Sequence, residues 1–153
     1  MVHDIEVIAL DLEGTLISNA ISQIPRPDLY VFLNGCREIT DRVVVFTTVS
    51  EPRFRQISNL LVSEGYAPNW FSSIEYIHWS GNKKNLSFIP NVKIEKVILV
   101  DDVEEYIVDG QDKQWIEIQQ FASPYPESDS KLLAVLEQLN AKLPPALCHK
   151  HKG

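Results

Sequence analysis

The sequence predicts an α/β fold: a doubly wound, Rossmann-like parallel sheet with helices on both faces. Three observations point to it. The runs 7–10, 43–46 and 97–100 are apolar throughout rather than alternating, the pattern of strands covered on both faces. Each run ends in a polar group: Asp11, Thr47, and Asp101 with Asp102. Helical spacing fills much of the chain between them, and strand–helix–strand alternation builds parallel sheets with right-handed crossovers.

The elements follow in order. The first strand runs into Asp11-Leu12-Glu13-Gly14-Thr15, a loop. Leu29, Phe32, Leu33 and Cys36 fall at i, i+3, i+4 and i+7, with Pro25 and Pro27 at the entrance, where proline is tolerated. Arg26, between those prolines, reads as a surface residue. The β-branched run 43–46 is the second strand. Phe54, Ile57, Leu60 and Leu61 form a second helical stripe, stopped near Gly65. Residues 74–78 and 115–118 are weaker strand candidates. The third strong strand, 97–100, precedes the acidic pair. Leu132, Leu133, Val135, Leu136 and Leu139 form a third stripe, stopped by Pro144-Pro145.

Composition bounds the function. The 153 residues carry 14 Lys and Arg against 21 Asp and Glu, a net charge of −7. No basic stripe occurs, which disfavours electrostatic capture of nucleic acid without forbidding it. The apolar runs are too short to span a bilayer. Asp4 and Glu6 interrupt any leader-like stretch. Cys36 and Cys148 form no disulfide framework. These features predict a soluble, cytoplasmic protein with no membrane partner. It has one domain over 1–143 and a flexible tail over 144–153. The tail's Cys148, His149 and His151 resemble a metal tract in composition only.

Chemistry concentrates where strands end. In a parallel sheet the C-terminal strand ends share one edge, and ligands bind there at the point where the strand order reverses. Asp11, Asp101 and Asp102 would meet on that edge, and three like charges together call for a cation. All-oxygen ligands suit Mg²⁺, which also takes a substrate phosphate. The Gly14-Thr15 turn offers backbone N–H groups to an oxyanion. Lys83 or Lys84 would neutralise phosphate charge. This set fits phosphoryl transfer through an acyl-phosphate.

At these residues the chain resembles the haloacid dehalogenase superfamily, whose first motif is hhhDxDGT. Here it reads Ile8-Ala-Leu-Asp11-Leu-Glu13-Gly14-Thr15. A Thr ending an apolar strand, a lysine, and an acidic pair then follow in the superfamily's order. A narrower resemblance is to the branch of NLI-interacting-factor-like, C-terminal-domain small phosphatases. It rests on Arg26-Pro27-Asp28-Leu29-Tyr30-Val31-Phe32-Leu33, on Phe46-Thr47-Thr48-Val49-Ser50 and on Lys84-Asn85-Leu86-Ser87.

The resemblance implies a Mg²⁺-dependent phosphatase hydrolysing a phosphate monoester. Asp11 would be the nucleophile that forms an aspartyl-phosphate. Glu13 would be the general acid/base. Gly14, Thr47, Thr48 and Lys84 would contact the phosphate. Asp11, Asp101, Asp102 and the backbone carbonyl of Glu13 would hold the metal. Glu13 and Asn85 stand where the family usually has Asp. The gaps of 36 and 37 residues flanking Thr47 leave no room for a cap domain. An open site favours a macromolecular substrate such as a phosphoprotein or a nucleic-acid end, or closure by a neighbouring subunit. Two other readings compete. One is a catalytically impaired phosphate- or phosphoprotein-binding module. The other is a receiver domain, whose acidic pair would follow the first strand instead of the last.

Overall fold

The computed structural model describes residues 5–126 and 128–143. Five strands form one all-parallel sheet: β1 (Val7–Leu10), β2 (Val43–Val45), β3 (Glu75–Tyr76), β4 (Val97–Asp101) and β5 (Trp115–Glu117). Their spatial order is β3-β2-β1-β4-β5. Val7 aligns with Val97 and Leu10 with Val100, while Ile8 aligns with Val43. The three apolar runs are therefore the three central strands, and their residues are buried on both faces.

Alternation along each strand divides the core. Ile8, Leu10, Val43, Val45, Ile98 and Val100 face one layer, and Val7, Ala9, Val44, Val97 and Leu99 face the other. The first layer holds all three α-helices: α1 (Leu29–Ile39), α2 (Glu51–Ser63) and α3 (Lys131–Ala141). In α1 the buried side chains include Leu29, Phe32, Leu33 and Cys36, as the spacing predicts. Cys36 is a packing group, and burial pushes its thiol pKa up. In α2, Phe54, Ile57, Ser58 and Leu61 are buried while Leu60 faces solvent. The correction is geometric: six residues past Phe54, at 100° each, carry Leu60 off the buried face. The helix stops before Gly65, whose φ of 82° suits a left-handed cap.

The second layer departs from the sequence expectation of helices on both faces. Short 3₁₀ turns cover it, at Leu86–Phe88 and Glu104–Tyr106. They seat Leu86, Ile89 and Ile107 on the sheet. The stretches that supply them contain Gly81, Pro90 and Gly110 and lack a long amphipathic repeat. The winding itself is as expected. The connections through α1 and α2 lie on one face, and the two after the order reverses lie on the other. One crossover hand requires that change of face.

Residues 144–153, with Pro144-Pro145, Cys148, His149 and His151, lie outside the described residues. Among the described residues no helix is long and apolar enough to cross a membrane.

Candidate active site

The strand order reverses between β1 and β4, so the edge beyond those two strands is the expected ligand position. Asp11 follows β1 directly, and its N–H donates to the Val100 carbonyl at 3.0 Å. Asp101 is the last residue of β4. Sheet register thus sets two carboxylates side by side, and the turn after β4 adds Asp102. One oxygen from each of Asp11, Asp101 and Asp102 lies within 4.8 Å of the others.

Lys84 reaches this group from the second layer. Its Nζ donates to Asp11 Oδ1 at 2.8 Å and to Asp101 Oδ2 at 2.5 Å. Burial pulls the Lys84 pKa down, but Asp11 and Asp101 outweigh it and raise it. The ammonium lies 4.8 Å from the ring centroid of Tyr106, a cation–π distance. The Lys84 backbone N–H donates to the Tyr106 carbonyl at 2.8 Å. Lys83 is exposed, with its Nζ 3.4 Å from the Ile107 carbonyl. The structure therefore brings Lys84, not Lys83, to the carboxylates. Behind Lys84, Asn85 Oδ1 accepts from the Ser87 N–H at 2.9 Å and from Gln111 Nε2 at 3.0 Å. Asn85 thus caps the 3₁₀ turn and also receives a side-chain amide.

One lysine does not balance three carboxylates. Burial, with Asp11 adding to it, raises the Asp101 pKa to about 6. Burial, a hydrogen bond with Asp11 and the charges of Asp11 and Asp101 raise Asp102 to about 8. An all-oxygen set with this excess charge fits a divalent cation, which would take the place of the protons.

The loop after Asp11 holds the cluster. Thr15 Oγ1 donates to Asp11 Oδ2 at 2.8 Å and lies 3.3 Å from Asp102 Oδ1. Gly14 has φ 78°, and a Cβ there would run into Asp102 Oδ2. Here glycine permits both the turn and the close approach. The expectation that this turn offers free N–H groups is corrected. Gly14 N–H donates to the Ile17 carbonyl at 2.7 Å, and Thr15 N–H to Leu12 at 3.3 Å. These donors are spent in closing the turn.

Glu13 is half-buried, and its Oε2 accepts the Ala20 N–H at 2.7 Å. Thr47 is buried at the end of β2, and its hydroxyl accepts the Val49 N–H at 3.1 Å. Thr48 beside it is exposed. An open cleft of about 360 Å³ is lined by Asp11, Glu13, Gly14, Thr48 and Asp102, among others. The sequence-predicted residues thus gather at one edge.

Arg26 is a correction. It is 2% exposed rather than superficial, and its guanidinium pairs with Asp129 at 3.1 Å. The neutralising carboxylate lies 103 residues away in sequence, so no local pattern could reveal it. Tyr106 was likewise missed, since an aromatic in a polar loop carries no sign of the lysine beneath it.

The family model of the NLI interacting factor-like phosphatases matches residues 6–146. The chain belongs to that family. It is thereby a member of the haloacid dehalogenase superfamily, in its small-phosphatase-like branch. No curated protein matches the chain. The fold agrees with a compact member of the superfamily without a cap domain. Glu13 engages the Ala20 N–H, and Asn85 caps the 3₁₀ turn without adding charge.

Proposed function

We propose that the protein is a Mg²⁺-dependent phosphatase that hydrolyses phosphate monoesters through an aspartyl-phosphate on Asp11. The single observation that carries this reading is the buried lysine shared between Asp11 and Asp101 at the sheet's reversal point. Asp11, Asp101, Asp102 and the Glu13 carbonyl would hold the ion. Bound there, Mg²⁺ supplies charge neutralisation and polarises the phosphoryl group.

The protein's own residues do the rest. An Asp11 carboxylate oxygen attacks phosphorus, the ester P–O bond breaks, and Glu13 gives its proton to the departing oxygen. Water then attacks the same phosphorus, Glu13 takes its proton, and the Asp11–phosphorus bond breaks to release inorganic phosphate. Thr47, whose hydroxyl proton is free while its oxygen accepts from Val49, would donate to the phosphate. Gly14 and Thr48 would lie against it, and Lys84 would stabilise its charge. The substrate class is a phosphorylated macromolecule, with a phosphoprotein favoured over nucleic acid by the net charge of −7.

A second reading, a phosphate- or phosphoprotein-binding module with impaired turnover, draws on one observation: Glu13 is already bonded to Ala20. Hydrolysis of p-nitrophenyl phosphate, with and without Mg²⁺, separates the two. Wild type should turn over only with Mg²⁺, Asp11→Asn should be inactive, and Glu13→Gln should lose most of the rate. Full activity in Asp11→Asn would remove the nucleophile from Asp11. A wild type that binds phosphate analogues without turnover would favour the module.

A further inference from the structure

We infer that Arg26 and Asp129 form a positioning clamp that sets the carboxylate cluster through Thr15; the inference rests on the site described under Proposed function. Arg26 touches neither the carboxylates nor the cleft, so it is not a catalytic residue. Its side chain is 1% exposed and that of Asp129 is 4% exposed. A charge pair so deeply buried costs desolvation, and an apolar pair of similar size would often be as stable. A fully used arginine there points to geometry rather than to stability.

The contacts support this. Nε lies 3.2 Å from both Asp129 oxygens. One terminal nitrogen donates to the Gly14 carbonyl at 3.2 Å and the Thr15 carbonyl at 3.3 Å. The other donates to the Gln119 carbonyl at 2.8 Å. The guanidinium carbon lies 5.3 Å from the Phe121 ring centroid. Phe121 returns the tie, its N–H donating to Gly14 O at 2.8 Å. One planar fork therefore joins the turn after β1, the exit of β5 and the approach to α3. A lysine could pair with Asp129 but could not bond the three carbonyls together.

Two of the three residues whose carbonyls Arg26 holds, Gly14 and Thr15, shape the site. The Thr15 hydroxyl sits between Asp11 and Asp102, and Gly14 gives Asp102 its room. Rotating either peptide would turn the Thr15 hydroxyl away or press the turn against Asp102. Groups bonded directly to a metal's ligands, as the Thr15 hydroxyl is to Asp11, typically change affinity about 10- to 100-fold when replaced; Arg26 acts one bond further out, through that hydroxyl.

The test uses the full chain as wild type, Arg26→Lys, Thr15→Val, their combination, and a paired Arg26→Met/Asp129→Leu variant. The paired variant removes both charges and so guards against simple misfolding. Calorimetry gives Mg²⁺ affinity, and NMR of the metal-free proteins gives the Asp11 and Asp102 resonances. Thr15→Val should weaken Mg²⁺ about tenfold or more, and Arg26→Lys by up to as much. Adding it to Thr15→Val should cost little further, because both act on one hydroxyl. The paired variant should fold and show the same loss. In the metal-free NMR, both replacements of Arg26 should move the Asp11 and Asp102 signals. Independent, additive losses would make Arg26 merely structural and overturn the clamp. So would folded variants with wild-type affinity and unmoved resonances. If wild type binds no Mg²⁺, the metal reading fails, and the metal-free resonances alone still decide the clamp.

Discussion

Lys84 shows how much one side chain can carry. It is 1% exposed and bonded to two aspartates. Removing one partner of a buried pair leaves uncompensated charge and costs about 3–5 kcal/mol. Lys84→Met, which keeps the stem and loses the ammonium, should therefore destabilise the metal-free protein by about that much. It should also abolish turnover, and Mg²⁺ should restore part of the stability. Denaturation with chelator and with Mg²⁺ checks this, and an unchanged midpoint in chelator would place the pair's energy elsewhere. Asp101 and Asp102 give a pH prediction of definite sign. Their pKa values, about 6 and about 8, stand above the ordinary 3.8. A carboxyl raised on folding binds protons better folded than unfolded. These two groups therefore lower metal-free stability as pH climbs from about 4 to about 8. Mg²⁺ competes with the same protons. At one subsaturating concentration it should raise Tm more at about pH 8 than at about pH 5.5. Equal shifts at both would mean that the ion does not displace those protons.

The helices on one face pack in one layer, and Gly35 in α1 lies directly under Leu136 of α3. A Cβ there would lie 2.6 Å from Leu136 Cδ2 of α3. Gly35→Val should push the two helices apart and cost about 1–3 kcal/mol. Leu136→Ala in the same chain should recover part of that, as seen in urea midpoints. A Gly35→Val protein as stable as wild type would mean that the Leu136 side chain turns aside and the helices keep their spacing. Elements of this kind were the most legible part of the sequence. Strands 7–10 and 97–100 and the α1 stripe follow from periodicity, because burial on one or both faces leaves a local pattern. The 3₁₀ cover of the second face was not legible. It is held by scattered residues, Leu86, Ile89 and Ile107, whose packing partners lie in distant strands. Arg26 was misread for the same reason: its Asp129 partner and carbonyl acceptors are non-local. Lys84 could be placed from Leu86-Ser87 beside it, whereas its Tyr106 neighbour could not. The spent N–H groups of Gly14 and Thr15 depend on how the turn closes, which composition alone does not specify.

At the scale of the whole molecule, the sheet order decides what the site can meet. The β1–β4 reversal leaves Asp11 at the C-terminal edge of the sheet, in an open cleft. Among the described residues no cap domain closes over it. A small phosphate ester would then make contacts with little beyond its phosphate, and the leaving group would remain in water. A substrate bound by a longer segment can spend remote contacts on orienting the scissile bond, and that gain appears in kcat as well as in KM. The expected result is therefore a preference for phosphopeptides over the free phosphoamino acid of at least about tenfold in kcat/KM, with part of it in kcat. Steady-state kinetics on a phosphoserine or phosphothreonine peptide series of increasing length would measure it. Efficiency that is flat with length would argue for a small-molecule substrate. Efficiency that depends on protein concentration at fixed substrate would instead point to a second subunit closing the site. A length-dependent kcat would tie the open edge of the sheet directly to the chemistry proposed at Asp11.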